Sequence, residues 1–481
     1  MLERFSMRLL ALFLRKLARR VVKTSRGTDC LSRSLVRKER TEIHSNLLEQ
    51  KNDWREKMSK KGVMIVFVFV IAALLLTSQV FAQAGLTTKE ELGEFLYFDE
   101  NLSEPSGQSC ASCHDPGFGF VDPDAGLPVS EGVIAGLFGG RNSPSSAYAM
   151  YAPTFYFDDV EGLWIGGQFW DGRATGDDLG DPLADQALGP FLNPVEMNNP
   201  DKATVIADVA ASEYADLFMQ VWGAGSLGNV ETAYNQVALS IAAFERTALF
   251  APFSSKYDAY LQACLAAGGG MDDCAQGIGK VASEVGNKVF SKKEWYGMQL
   301  FMGENDNNGI LEADEGAMCA ACHVADWTPD PGNVVLPAWS PDGSIPPMFT
   351  DFTFDNLGVP KSDHPLLAGN PVDLGLGAVG GDQEENGKFK VMTLRNIGLT
   401  EPYAHNGLFL KLIDITHFYN TRDLLDPCDD VEKPKPGKNC WPAPEYSDTM
   451  NEDELGNLGL SDADEDALVK FMKTLSDGYK P

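Results

Sequence analysis

The chain has 481 residues, of which 44% are hydrophobic, and carries 69 Asp+Glu against 39 Lys+Arg. Its net charge of −30 argues against nucleic acid or an anionic membrane as a partner. It is long enough for two domains with proper cores.

The charge is unevenly spread. Residues 1–61 hold 17 of the basic and 7 of the acidic residues, which leaves 22 basic and 62 acidic, a net of −40, for the remainder. Residues 1–57 are therefore read as a basic leader, an upstream over-extension of the start. A second beginning follows at Met58, with Lys60 and Lys61, an apolar run from Gly62 to Leu76 and small residues at Val80-Phe81-Ala82 or Ala82-Gln83-Ala84. That order predicts a signal peptide over 58–84. The run is short for a membrane span, which needs ~20 residues. Export to the periplasm or cell surface, with no stable membrane span in the mature protein, is the expectation.

A helix is predicted from Thr88, as its cap, with Glu91 three residues on. It leads to Cys110-Ala111-Ser112-Cys113-His114, and the same phrase returns at Cys319-Ala320-Ala321-Cys322-His323. A Cys-x-x-Cys-His run attaches c-type haem: the thiols add to the vinyl groups and the adjacent imidazole becomes an iron ligand. A zinc site would need further ligands at matching spacing, and a redox dithiol has no use for the histidine. Two covalent haems are therefore expected, on His114 and His323.

Residues 115–153 form a Gly/Pro-rich stretch with little periodicity, and Ala233 to Leu249 reads as a buried helix. Residues 263–284 look like an inserted loop clipped by Cys264 and Cys274; Cys428 and Cys440 form a second local pair. Both pairs suit disulfides in an oxidising compartment. A Ser291-capped helix precedes the second haem phrase, and an amphipathic helix over Ala467 to Leu475 turns Leu468, Phe471, Met472 and Leu475 to one side. The predicted fold is mainly α, with two cytochrome c-like haem domains packed face to face and long irregular loops. Residues 85–262 form the N-terminal domain, 263–284 the inserted loop and 285–481 the C-terminal domain.

Between the haem phrases, and after the second, stand Arg141-Asn142-x-Pro144, Phe169-Trp170-Asp171-Gly172-Arg173, Gln186-x-x-Gly189-Pro190, Asn193-Pro194-x-Glu196-Met197, Thr393-Leu394-Arg395-Asn396 and Pro402-Tyr403-Ala404-His405-Asn406-Gly407. With the haem phrases, in this order, they make residues 85–481 resemble the bacterial di-haem cytochrome c peroxidase family, which includes the MauG-type oxidases. The resemblance implies that peroxide reacts at the N-terminal haem on His114 and that the C-terminal haem on His323 transfers electrons. It implies that Trp170 lies between the haems and that Gln186 and Glu196 form the distal pair at the peroxide site. A carboxylate there can take the proton from iron-bound peroxide and return one to the leaving oxygen. Taken alone, Glu196 after Pro194 would be an ordinary helix-start residue. Ala174 to Ala184, rich in Asp, departs from the family as a lengthened surface loop.

Residues 115–170 contain no histidine, and Met150 is their only methionine, so no removable ligand for the first iron is expected from that stretch. Fourteen residues after His405, where peroxidase members place Met and MauG-type members Tyr, stands Tyr419. An anionic phenolate stabilises ferric iron and lowers the potential, opposite to Met. His417 and Met392 are rivals for that ligand position; on a helix, 417 and 419 point to nearly opposite sides, and only one can face the haem. The resemblance also implies a calcium held by Asn142, Thr400 and Pro402. Separately, residues 304–315 scan as an EF-hand loop with donors at Glu304, Asp306, Asn308, Glu312 and Glu315, although position 1 is Glu in place of Asp. A plain acidic turn is the competing reading.

The resulting expectation is a hydrogen-peroxide-dependent oxidoreductase with two haem c groups and calcium. Its partner is a protein whose tryptophan is oxidised, or a small cytochrome or copper protein that donates electrons. A non-enzymatic electron carrier is the reading from another class.

Overall fold

Two helices with matching starts set up the two halves of the chain. The computed structural model describes residues 86–303 and 315–480. The predicted signal peptide and most of the EF-hand-like stretch, including Glu304, Asp306, Asn308 and Glu312, lie outside the described residues. Helix α1 (Thr88–Phe98) is closed by a capping box in which Thr87 and Glu90 satisfy each other's backbone N–H. The predicted cap at Thr88 is thus one residue late. Two threonines and two glutamates are adjacent there, so the sequence offers both registers. The Ser291-capped helix forms as expected, with Glu294 completing its box.

The larger helices of the first half are α2 (Pro182–Ala187), α3 (Lys202–Ala211), α4 (Ala215–Trp222) and α5 (Val230–Glu245). Those of the second are α6 (Lys256–Ala266), α7 (Met271–Gln276), α8 (Gly279–Val289), α9 (Lys292–Met302), α10 (Leu412–Thr421) and α11 (Asp462–Met472). The segment expected as an inserted loop, 263–284, is therefore mostly helical. Its glycines only break the chain into short helices, and the Cys264–Cys274 disulfide ties α6 to α7. The Cys428–Cys440 disulfide is also formed. Among the described residues, strands are confined to two-stranded ribbons of two or three residues. They include the hairpin β1 (Tyr156–Asp158) and β2 (Leu163–Ile165), and a pair in which Phe354–Asp355 runs antiparallel to Phe389–Lys390.

From Leu86 onward the chain is one compact unit with two hydrophobic cores. In the first core α1 packs against α5, and in the second α9 packs against α11. Each crossing is made at a glycine. A Cβ on Gly93 would sit 2.0 Å from the Ser240 carbonyl oxygen of α5, and one on Gly297 would sit 1.9 Å from the Ala467 carbonyl oxygen of α11. The cores change over between Phe253 and Tyr257, so α6 belongs to the second core, slightly earlier than the expected boundary at 262.

Arg395 stands at the seam. It is 2% exposed and donates two hydrogen bonds to Asp258 (2.8 and 2.9 Å) and two to the Pro347 carbonyl (2.9 and 2.6 Å). Its guanidinium lies 5.0–5.7 Å from the ring centres of Tyr148 and Phe253 of the first core and of Tyr257 and Phe349 of the second. Replacing Asp258 by Asn would leave that buried cation without its counter-charge, so Asp258→Asn is expected to cost about 3–5 kcal/mol in urea unfolding of the haem-loaded protein. A loss below about 1 kcal/mol, as for an exposed pair, would contradict this.

Candidate haem sites and the path between them

In the second half, Cys319–Ala321 forms a single 3-10 turn, and the His323 N–H closes onto the Cys319 carbonyl at 2.9 Å. Cys319 and Cys322 are free thiols. His323 Nδ1 lies 3.0 Å from the Phe349 carbonyl oxygen, and burial pushes its pKa down to about 4. A neutral imidazole that donates from Nδ1 keeps Nε2 available to a metal. A cavity of about 250 Å³ opens beside it, with an apolar lining that includes Phe301, Leu412, Leu458, Leu468 and Met472. Two thiols one turn apart, an oriented neutral imidazole and an apolar cavity fit a covalently attached haem.

Tyr419 and Met392 line this cavity together with His323. His417 does not: its Nδ1 lies 2.8 Å from a Glu465 carboxylate oxygen on α11. Burial first, and then the neighbouring Cys322 and Asp355, push the Tyr419 phenol well above its usual range. Only a strong local positive charge would ionise it, and a metal ion supplies one.

In the first half, Cys110–Cys113 forms one helical turn, with free thiols at both ends, and His114 follows it. The His114 Nδ1 lies 3.3 Å from the Phe120 carbonyl oxygen, and burial lowers its pKa. The Tyr97 hydroxyl of α1 donates to the His114 carbonyl at 2.9 Å. Glu196 sits in a tight turn, with the Asn193 side chain donating to its carboxylate at 2.8 Å. The helix that its place after Pro194 would suggest does not form. Burial raises the Glu196 pKa, against the opposing pull of Arg173. A negative Glu196 would in turn raise the pKa of both Cys110 and Cys113, which brings it within electrostatic reach of the first haem phrase. Gln186 is half-buried near the end of α2, and no hydrogen bond joins it to Glu196 among the described residues. Arg173 stacks on Phe169, 3.7 Å from its ring centre, and the rim of that ring reaches the turn at Gly189.

Trp170 lines the second-half cavity. Its indole N–H donates to the Asn142 carbonyl at 2.9 Å. The Asn142 side-chain amide N–H donates to the Pro128 carbonyl at 3.2 Å, which leaves its oxygen available to a ligand. Asn142, Thr400 and Pro402 border the same cavity. An amide oxygen and main-chain carbonyl oxygens are the donor types that a hard cation such as calcium takes.

A family model for di-haem cytochrome c peroxidase matches residues 87–264. The methylamine utilization protein MauG of Paracoccus denitrificans is 34% identical over 402 residues, covering 81% of this chain and 89% of that protein. The chain belongs to the MauG-like di-haem cytochrome c peroxidase family. The cytochrome c551 peroxidase of Pseudomonas aeruginosa is 29% identical over 347 residues, covering 72% of this chain and 75% of that protein. The crystal structure of the diheme peroxidase BthA from Burkholderia thailandensis superposes with a TM-score of 0.61 at 28% identity, over 81% of this chain and 86% of that one. Family membership implies two c-type haems, in accord with the two sets of thiols and histidines.

One buried group near these sites, Lys390, was not singled out by the sequence. Lys390 is buried on the strand beside Trp170, and its backbone N–H donates to the Trp170 carbonyl at 2.8 Å. Its ammonium donates to the Gly167 carbonyl at 2.6 Å, and burial pushes its pKa down to about 7. The only advance signal was a lysine inside the apolar run Phe389-Lys390-Val391-Met392. Arg141 holds Asp171 (2.6 Å) and Asp373 (2.6 and 2.7 Å), bracing the residue after Trp170. The Asp-rich stretch 174–184 is less of a surface loop than expected. Ala174, Gly176 and residues 182–184 are buried, and the Asp185 carboxylate accepts backbone N–H groups from Gly176, Asp178 and Leu179. Of the EF-hand-like donors only Glu315 lies among the described residues, where it is half-buried.

Glu245 is a buried carboxyl on α5, and one of its oxygens has no hydrogen-bond partner. Burial pushes its pKa up to about 8, against the pull of Arg246. The folded chain thus keeps this proton after the unfolded chain has lost it, so the group's contribution is full below pH ~4.5 and falls as pH rises toward 8. Glu245→Gln is expected to gain stability over the parent between pH 5 and pH 8, on the order of 3 kcal/mol by urea unfolding. Equal pH dependence in both proteins would contradict this.

Proposed function

We propose that this peroxidase-type enzyme reduces hydrogen peroxide at its N-terminal haem and oxidises a partner protein through its C-terminal haem, in the MauG-like manner. The observation that carries the proposal is the placement of Tyr419 in one cavity with Cys319, Cys322 and His323, while His417 is engaged by Glu465. Bound haem supplies the iron that takes peroxide and exchanges electrons. Glu196, as a carboxylate, takes a proton from hydrogen peroxide and returns it to the departing oxygen, which leaves as water. Gln186 contributes a neutral amide to the same site. Trp170 bridges the two halves, fixed by its indole bond to Asn142. Asn142, Thr400 and Pro402 hold calcium against the same segment, and the two cores correspond to two haem domains facing each other.

The raised pKa of Glu196 gives the reaction a pH signature, because the base form is needed. The second-order rate with peroxide should rise through a pKa above the usual carboxylate range. Glu196→Gln should remove that inflection and slow the reaction by about 10²–10⁴-fold. Stopped-flow measurements with an unchanged profile in Glu196→Gln would assign the proton transfer elsewhere.

Tyr419 separates the sub-branches. Tyr419→Phe should shift the EPR g-values of one ferric haem and raise its potential, whereas Met392→Leu should leave both unchanged. The reverse pattern would favour the second reading, a peroxide-detoxifying cytochrome c peroxidase fed by a small cytochrome or copper protein. The strongly acidic chain is what supports that reading. Absence of reaction with peroxide in every redox state would leave a plain electron carrier.

A further inference from the structure

The hairpin β1–β2 exposes a concentrated apolar tip. Tyr156, Phe157, Val160 and Leu163 are 44, 43, 89 and 40% exposed, four large hydrophobic side chains within eight residues. Scattered exposed apolar residues are ordinary, but such a cluster on a projecting turn is not. The turn is ordered in advance: the Asp158 carboxylate accepts the Val160 and Glu161 N–H groups at 2.8 and 3.2 Å, and Gly162 takes a positive φ of 72°. A partner would therefore lose little loop entropy by binding it.

Behind the tip the aromatic side chains run inward. Phe157 pairs across the ribbon with Trp164, with ring centres 5.2 Å apart, and Trp164 stacks on Phe155 at 4.7 Å with planes 4° apart. Phe155 meets Phe354 at 5.9 Å, and both rings close over Gly172, where a Cβ would lie 3.0 and 2.7 Å from them. Gly172 is two residues from Trp170. The hairpin is thus packed onto the segment that carries the bridging tryptophan.

The rim of the tip is acidic, formed by Asp158, Asp159 and Glu161. A second copy of the chain would bring like charges together, and an anionic lipid surface would be repelled in the same way. An apolar centre with an anionic rim complements a basic protein that has an apolar patch. We infer that the hairpin 156–165 is the docking site for a basic redox protein, which binds beside Trp170. The identity of the occupant as a redox protein rests on the proposed peroxide-dependent function.

The test uses the mature haem-loaded protein, with a lysine-rich monohaem cytochrome c as the probe and an acidic cytochrome c as the control. Binding is measured by calorimetry at low and physiological salt, and peroxide turnover is followed separately with a small organic dye as donor. The parent should bind the basic probe and not the acidic one. Asp159→Lys with Glu161→Lys should weaken binding at least tenfold at low salt and flatten its salt dependence. Val160→Ser with Leu163→Ser should weaken it about fivefold at both salt levels. Dye turnover should be unchanged in both variants. Parent-like binding in both variants, or no binding of the basic probe by the parent, would overturn the proposal. So would a parent dimer in light scattering that Val160→Ser with Leu163→Ser dissolves, which would make the occupant a second copy. Hairpin-dependent binding in a parent without dye turnover would uphold the surface and sink the peroxidase reading.

Discussion

The buried guanidinium of Arg395 is the constraint on which the rest of the structure depends. An ion without a partner in a dry interior costs several kcal/mol, so it fixes whatever surrounds it. Here Asp258 and the Pro347 carbonyl satisfy it from the second half, while Tyr148 and Phe253 approach from the first. Tyr148 in turn donates to Asp477 near the C-terminus, and Asp477 accepts the Ser254 N–H from the crossover between the cores. This satisfied polar knot joins the two cores inside an apolar seam.

A second junction surrounds Trp170. The Trp170 indole, the Asn142 carbonyl and the His405 carbonyl, which accepts the Asn142 N–H at 2.8 Å, form a short chain of bonds across the seam. Lys390 holds the other side of Trp170 through its backbone, while its ammonium occupies the carbonyl of Gly167. Trp170 is therefore held from two segments, its indole by the Asn142 carbonyl and its own carbonyl by the Lys390 N–H.

What was legible in the sequence was chemistry that needs particular residues at short spacing. The haem phrases, the two local disulfides and the Ser291 cap all belong to this class, because each is decided within a dozen residues. The opposition of positions 417 and 419 was legible as helix geometry, but which of them faces the cavity depended on Glu465, 48 residues away in the chain. The glycines at 268–270, 277 and 279 suggested a loop over 263–284. Burial of Cys274, Ala275, Ala282 and Val285 overrode that local preference and kept the intervening segments helical. Lys390 and Glu245 were invisible for the same reason: a charged residue looks like surface until the fold encloses it. The stretch before Gln186 is less exposed than its composition suggests because one carboxylate, that of Asp185, gathers the backbone N–H groups of Gly176, Asp178 and Leu179, although Asp177 and Asp178 stay exposed.

The glycine crossings repeat from one half to the other. Thr87 and Ser291, Glu90 and Glu294, Gly93 and Gly297, and Leu96 and Leu300 all fall at the same offset along the chain, and each pair plays the same part in its half. A cap, a close approach and a core position thus recur in one register, so both halves build the same helix crossing. Each crossing needs its glycine because any side chain at the contact would force the backbones apart. What differs between the halves lies around the two haem phrases: the Glu196 carboxylate is within electrostatic reach of the first, and the Tyr419 phenol shares a cavity with the second. One repeated helix crossing thereby supports two different surroundings for the two phrases.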